Sequence, residues 1–182
     1  MNRKTLHPNT NTLLSAWERM SASPHESGMG PATSQHTDLV ECLFVIERAE
    51  DGAWVFRNAG KRISNLLGRE LAEHNYLDLW TGHDRAMVDA FLSSVSETRL
   101  PGIIRARGET LTGMRIDIEL TLAPLSGLQP TTKRPRLLGL YQTLGGDAML
   151  MGRPVWRHRL NAIFPPDVQT EPARLKLVAN ND

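Results

Sequence analysis

The sequence is poor in cysteine, in net charge and in long apolar runs, and each shortage excludes a class of protein. Its single cysteine, Cys42, excludes an internal disulfide framework and a metal site built from several cysteines. The 21 basic and 20 acidic residues leave a formal net charge of +1, which gives no sequence-wide field for nucleic acid or an anionic membrane. No apolar run approaches the roughly 20 residues that cross a bilayer, and the first residues lack the apolar core of a secretory signal. We therefore expect a soluble, cytoplasmic, single-domain protein with no membrane segment.

The chain does contain enough apolar sequence for a core, and its charge is unevenly distributed. Hydrophobic residues make up 40% of the 182 residues and charged residues 23%, so we expect a folded domain rather than a disordered chain. Residues 121–182 carry 8 basic and 4 acidic residues, whereas acidic residues are in slight excess over 1–120. The basic side chains are therefore concentrated in the C-terminal third.

The first periodic segment is a short amphipathic one. Within residues 12–20, Leu13, Leu14 and Trp17 fall on one helical face. Because so short a helix is marginal on its own, we predict that a helix within residues 1–22 docks on its own core or on a partner. The three side chains are the candidate dimer interface.

Two segments lack periodicity. Residues 23–37 are rich in Ser, Gly and Pro, and are predicted to be a flexible linker. Residues 148–182 are interrupted by proline and glycine, and are predicted to be a basic, partly ordered tail.

The middle of the chain alternates between strand and helix patterns. Apolar and polar residues alternate without a break over 114–122, the strongest strand signal in the sequence. The clearest helix spans 84–98, with Thr81 or Asp84 as its cap. The predicted strands are 42–46, 54–56, 103–107, 114–122 and 137–144. Two strands, then helices, then three strands describe an α+β domain with an antiparallel sheet.

Several short motifs then carry a resemblance to a known family. The segments are Phe56-Arg-Asn-Ala-Gly60, Leu67-Gly-Arg-Glu-Leu71, Leu79-Trp80 and Leu122-Ala-Pro-Leu125. Their sequences and spacing resemble the signature of a short PAS-domain family found mainly in alphaproteobacteria, which implies a bacterial protein. The resemblance covers roughly residues 38–145, and we assign residues 38–147 to a PAS-like domain.

The resemblance implies a five-stranded antiparallel sheet with short helices and one longer connecting helix on one face. PAS domains act as sensors or docking modules, a small molecule can lie between sheet and helices, and the outer sheet face or a flanking helix mediates dimerisation. We therefore expect a homodimer with a signalling protein partner and a small-molecule ligand. The candidate ligand-binding residues are Arg57, Trp80, Met87, Phe91 and Tyr141.

Each of these residues also has a purely structural interpretation. The guanidinium of Arg57 can bind a carboxylate or phosphate in the cavity, but an internal salt bridge, with Glu70 as the obvious partner, is favoured. The other four side chains can equally be core residues, since the core and the pocket of a PAS domain occupy the same space.

No cofactor or metal is indicated by the residues. The segment 85–98 contains no histidine that could ligate haem, and His74 and His83 are better explained as surface or capping residues. Cys42 lies in the first predicted strand rather than on the short helices, where a flavin photosensor would need its reactive thiol. We expect neither haem nor flavin, and no metal site, while the ligand itself stays unknown.

The sequence contains no enzyme motif, but it contains one basic motif that the PAS resemblance does not explain. The sequence lacks a nucleophile elbow, a His-Glu-x-x-His helix and a phosphate loop, so we expect no catalysis. Arg153 and Arg157 have the Arg-x-x-x-Arg spacing of some cyclic-dinucleotide receptors, but the second half of that motif is missing. These two arginines are candidate contacts for an acidic partner or an anion.

Two functions from different classes remain. The first is a stand-alone PAS sensory or adaptor module, which binds a small ligand or a protein partner and signals through dimer or partner contacts. The alternative is a regulator that responds to cyclic dinucleotides or nucleic acid through the basic region 133–159. Steep salt dependence of binding would favour the alternative, although the balanced net charge makes nucleic acid an unexpected partner.

Overall fold

The computed structural model describes residues 5–22, 37–125 and 134–166, which form one six-stranded antiparallel sheet with helices on both of its faces. The order of the strands across the sheet is β2-β1-β5-β4-β3-β6. The strands are β1 Leu43–Arg48, β2 Trp54–Ala59, β3 Gly102–Thr110, β4 Arg115–Pro124, β5 Arg136–Leu144 and β6 Val155–Phe164. The helices are α1 Pro8–Ala22, α2 Thr37–Val40, α3 Lys61–Leu67 and α4 Gly82–Thr98, with 3₁₀ turns at Tyr76–Leu79 and Asp147–Leu150.

Local sequence explains the turn between β1 and β2, the end of α3 and the packing of α4. Helices α3 and α4 pack on one face of the sheet, which we call the inner face. Gly52, at φ 83°, lies in the tight turn of the β1–β2 hairpin, where a left-handed conformation favours glycine. Gly68, at φ 65°, ends α3, and its N–H donates to the carbonyls of Asn65 and Ser64. Helix α4 buries one stripe of apolar side chains, Val88, Phe91, Leu92 and Val95, on the sheet. These helices and the sheet enclose the main core.

The predicted α+β class with an antiparallel sheet is confirmed, but the predicted number of five strands is wrong. Residues Val155–Phe164, within the segment predicted to be a partly ordered tail, form a sixth strand that pairs antiparallel with β3. The pairing contains two irregularities, where Trp156 and Asn161 have no direct partner on β3. These bulges break the two-residue alternation of β6, which is why the sequence pattern did not predict a strand.

Helix α1 packs on the outer face of the same sheet. Leu6 and Leu14 contact Ile103 of β3, and Leu13 packs with Cys42 and Leu140. The predicted docking of this helix is therefore made within the chain. The predicted flexible linker lies outside the described residues except for Thr37, which begins α2, and the end of the predicted tail, residues 167–182, also lies outside them.

Candidate functional site

The most unusual feature of the interior is a histidine that is completely buried between sheet and helices. His158 of β6 is buried, and its Nε2 lies 2.7 Å from Tyr141 Oη of β5 in a hydrogen bond. Its ring packs against Trp80, with ring centroids 5.2 Å apart, and meets the Tyr141 ring edge-on at 5.7 Å. Trp80 directly follows the 3₁₀ turn Tyr76–Leu79, so the cluster joins this turn to two strands of the sheet.

Burial holds the His158 ring neutral. The pKa of His158 is lowered to about 4, chiefly by loss of hydration; the carbonyl of Leu79 opposes this, and the positive charge of Arg69 adds to it. The carbonyl therefore lies near the ring, but Nδ1 makes no hydrogen bond of normal geometry within the described residues. A neutral imidazole offers one donor and one acceptor to its surroundings.

Further polar atoms around this cluster lack partners. Among the described residues, Tyr76 Oη and Trp80 Nε1 are buried and make no hydrogen bond of normal geometry. Burial raises the pKa of Tyr76, and the indole of Trp80 opposes this, so the two groups are close without being well aligned. Together with His158 Nδ1, three buried polar atoms of the core therefore make no hydrogen bond of normal geometry with the described residues. Buried polar atoms are normally paired, so such a group calls for a physical explanation.

The structure places the predicted ligand-binding residues in two environments. Trp80, Phe91 and Tyr141 are buried in the main core, whereas Met87 is 41% exposed on α4. Helix α4 buries only the face that carries Val88, Phe91, Leu92 and Val95. Met87 therefore does not line the interior.

Arg57 lies on the outer surface and is held by carboxylates. Its Nη1 donates to both carboxylate oxygens of Glu73 at 2.7 Å, and its Nη2 donates to Glu47 at 3.2 Å. The favoured interpretation, an internal ion pair, agrees with this geometry, but the predicted partner Glu70 is wrong. Glu73, at φ 63°, is brought back toward β2 by the loop that follows α3.

The two candidate anion-binding arginines are not brought together. Arg153 Nη1 donates to Thr112 Oγ1 at 3.0 Å near the tip of the β3–β4 hairpin. Arg157 donates through Nε and Nη2 to Glu109 Oε2 at 2.9 and 2.7 Å. The spacing of four residues therefore does not create a single two-arginine site.

His158 was missed by the sequence analysis. Only one signal could have found it, the alternation of Arg157, His158 and Arg159, which in a strand places the histidine on the opposite face from both arginines. The bulge at Trp156 obscures this alternation.

The N-terminal helix is fastened to the sheet by buried polar contacts. Glu119 of β4 is fully buried, and it accepts hydrogen bonds from Thr10 Oγ1 at 2.5 Å and from the N–H of His7 at 3.1 Å. The same carboxylate forms an ion pair with Arg105. Trp17 Nε1 donates to the carbonyl of Pro124 at 3.0 Å. The candidate dimer residue Trp17 therefore contacts its own chain.

A model of the PAS domain family matches residues 5–142 of this chain. The match spans more than half of the sequence, so the chain belongs to the PAS domain family, a family of sensory modules in signal transduction. The predicted PAS domain is confirmed. The matched range begins ahead of α1 and ends within β5, so β6 lies beyond it. No curated protein matches the chain in sequence.

Several solved structures resemble the chain in fold. A light-oxygen-voltage (LOV) protein of Rhodobacter sphaeroides has 17% sequence identity and a TM-score of 0.45, and the alignment covers 59% of this chain and 61% of that one. The dark structure of the blue-light photoreceptor Aureochrome1 LOV has 15% identity and a TM-score of 0.46, covering 67% and 91%. A light-oxygen-voltage domain studied with a flavin analogue also has 15% identity and a TM-score of 0.46, covering 69% and 93%. The chain thus spans about three-fifths of the length of the Rhodobacter sphaeroides structure.

The prediction that a flavin is not a ligand is contradicted by these similarities. That prediction rested on the position of Cys42, whereas the solved structures to which this chain is similar are light-oxygen-voltage proteins, one of them studied with a flavin analogue. In this chain the rings of Phe44, Phe56 and Tyr76 lie in mutual contact between sheet and helices, with centroids 5.5 to 5.6 Å apart. A flavin in that space would require these rings to move.

Cys42 lies beneath α1, in a cluster of apolar side chains separate from the main core. Cys42 packs with Leu13 under α1, and burial raises the pKa of its thiol, an effect that Arg62 opposes. Within 5–22, 37–125 and 134–166, no group of three or more His, Cys, Asp or Glu side chains could hold a metal ion. No helix in these ranges is long and apolar enough to cross a membrane.

Proposed function

We propose that this chain is a PAS sensory module that receives its input at the buried cluster of Trp80, Tyr141 and His158 and passes it to a separate signalling protein. The observation that carries the proposal is that three buried polar atoms, Tyr76 Oη, Trp80 Nε1 and His158 Nδ1, make no hydrogen bond of normal geometry among the described residues. An unpaired buried polar atom costs about 1–3 kcal/mol. A compact ligand that supplies both a donor and an acceptor would remove part of this cost, with Phe91 as a further contact.

The ligand would act by favouring one packing of the interior over another. The cavity beside Tyr141, lined also by Ile63 and Leu66, has a volume of about 10 Å³, which is room for about one water molecule. A ligand at the cluster requires the core to open, because Trp80, Tyr141 and His158 are buried and the His158 ring contacts the other two rings. Such a ligand shifts the population toward the opened packing by its preference for that state. We expect no enzymatic activity in this mechanism.

A homodimer is part of the proposal. Leu13 and Leu14 are buried on the sheet of their own chain, so a dimer that uses them requires α1 to be exchanged between two copies. Light scattering of the full chain measures this directly, and a monomer at all concentrations would contradict it.

The alternative based on cyclic dinucleotides is not supported by the family match or the similar structures, and Arg153 and Arg157 have separate contacts.

Native mass spectrometry and an absorbance spectrum of the purified full chain test the input site. We expect a bound mass that is present in the wild type and lost in His158→Gln. The spectrum reports in the same sample whether the bound molecule is a flavin. A bare mass in both proteins, with no small molecule raising the melting temperature of the wild type, would contradict the proposed input site.

A further inference from the structure

The outer face of β4, β3 and β6, the three neighbouring strands at one side of the sheet, carries several arginines that take no part in the proposed ligand site. Four arginines, one glutamate and one asparagine line a cavity of about 190 Å³, which we call the arginine basin: Arg107, Glu109, Arg115, Arg157, Arg159 and Asn161. The basin lies on strands β3, β4 and β6. Since β6 follows the range of the family match, this surface depends on a part of the chain that the match does not include.

The charges in the basin are only partly compensated. Glu109 accepts hydrogen bonds from Arg157 and weaker ones from Arg115 at 3.4 and 3.5 Å, and Arg107 Nε lies 3.3 Å from Asp117. Four guanidinium groups thus face two carboxylates. Arg159 is exposed and makes no side-chain hydrogen bond or ion pair with the described residues. The basin therefore has an excess of positive charge and free donors.

Glu109 holds part of the basin in a fixed arrangement. Its side chain is 13% exposed, and Arg157 and then Arg115 lower the pKa of its carboxyl, so it stays ionised. Two donors of Arg157, Nε and Nη2, bond to the single oxygen Oε2 of Glu109 and fix that guanidinium at the edge of the cavity. A site whose donors are already ordered binds with a smaller loss of conformational entropy.

Exposed apolar side chains flank the basin. Trp156, at the bulge of β6, is 47% exposed and has the Arg157 guanidinium 5.1 Å from its ring centre. Leu111, at the tip of the β3–β4 hairpin, is 79% exposed. Tryptophan and arginine are the residues most enriched at the energetic centres of protein interfaces.

We propose that the arginine basin binds an acidic segment of a partner protein, with carboxylates on Arg159 and Arg107 and an apolar side chain on Trp156. The proposal names the output surface of the proposed sensory module and so rests on that function. Charge complementarity selects an acidic occupant. The exposed Trp156 favours a protein segment over a nucleic acid, and so do the carboxylates of Glu109 and Asp117, which repel a phosphate backbone.

The test is fluorescence anisotropy on the full chain with two labelled peptides, one of eight glutamates and one of eight glutamates around a central leucine. Arg159→Glu is expected to weaken the binding of both peptides by about tenfold or more, since a reversed charge replaces an attraction by a repulsion. Trp156→Ala is expected to abolish the advantage of the leucine peptide over the all-glutamate peptide. The matched control is Arg19→Glu, an equal change of charge at an exposed position in the last turn of α1.

Each outcome decides the proposal. Loss of binding in Arg159→Glu with wild-type affinity in Arg19→Glu supports it. No binding of either peptide to the wild type, or equal losses in both charge reversals, would overturn it. Basin-dependent binding of a labelled oligothymidylate in preference to both peptides would also overturn it, in favour of nucleic acid. Because neither peptide needs a ligand in the interior, failure here leaves the mass-spectrometric test of the input site unaffected.

Discussion

Tyr141 Oη and His158 Nε2 lie 2.7 Å apart although their strands, β5 and β6, are separated in the sheet by β4 and β3. The position beside His158 on β3 is Gly108, where an added Cβ would lie 2.8 Å from Ile118 and 2.9 Å from Val155. Because Gly108 has no side chain, Ile118 and Val155 can both pack over β3 at this position. The hydrogen bond therefore ties the sixth strand to the middle of the PAS sheet through the interior.

Replacing Tyr141 by phenylalanine should destabilise the protein. The change leaves His158 Nε2 buried without its partner, which costs about 1–3 kcal/mol in the free energy of unfolding. Urea denaturation followed by circular dichroism measures it. Tyr76→Phe is the matched control, because Tyr76 Oη has no hydrogen bond of normal geometry in the described part of the chain. Equal losses in the two variants would contradict the role given to the Tyr141–His158 bond.

His158 should make stability depend on pH. The pKa of His158 is lowered to about 4 in the folded protein, against about 6.5 in an unfolded chain. Between these values the unfolded state binds more protons, so stability contributed by neutral His158 is complete above pH 6.5 and is lost as the pH falls toward 4. From pH 7.5 to pH 5 the loss amounts to about 2 kcal/mol.

The measurement compares the wild type with His158→Gln, which does not titrate. We expect the free energy of unfolding of the wild type to fall more steeply between pH 7.5 and pH 5 than that of the variant. Parallel curves for the two proteins would show that His158 is not buried in its neutral form.

Thr10 should control the docking of α1. Thr10→Val removes the hydroxyl that donates to the buried carboxylate of Glu119, and a hydrogen bond to a charged group contributes about 1.5–3 kcal/mol. We expect weaker protection of the α1 amides in hydrogen exchange. Because Cys42 packs under Leu13, its thiol should also react faster with a disulfide reagent. Thr12→Val is the control, since Thr12 is exposed and its hydroxyl donates to the carbonyl of Pro8 on its own helix. Unchanged labelling of Cys42 in Thr10→Val would contradict this account of docking.

The sequence was sufficient for the elements that follow a regular pattern. The alternation over 114–122 predicted β4, and the apolar stripe over 84–98 predicted α4, each within a few residues of the observed bounds. In both, one face is buried along the whole element, so the pattern is unbroken. The motifs around 56–60 and 67–71 were enough to suggest the PAS family, which the match over residues 5–142 confirms.

The features that the sequence did not predict depend on irregular backbone conformation and on contacts between residues far apart in the chain. Two bulges hide the alternation of β6, so His158 was not recognised as an inward-facing residue. Arg57 pairs with Glu73 rather than with Glu70 because of the loop after α3, in which Glu73 has a positive φ. Hydrophobic periodicity does not predict such a loop conformation. The contact between Glu119 and Thr10 joins residues 109 positions apart, and only the folded sheet brings them together.

The central claim is that β6 connects a buried input to an exposed output, because His158 faces the interior while Arg157 and Arg159 face the basin on the other side of the same strand. The most direct test is the affinity of the labelled leucine-containing peptide for the wild type and His158→Gln. Coupling between sites typically amounts to fivefold or more, so we predict a change of at least about fivefold in Kd in His158→Gln. Ile46→Val, a small core change on β1 on the far side of the sheet from β6, should leave Kd unchanged. Wild-type affinity in a folded His158→Gln protein would contradict the account.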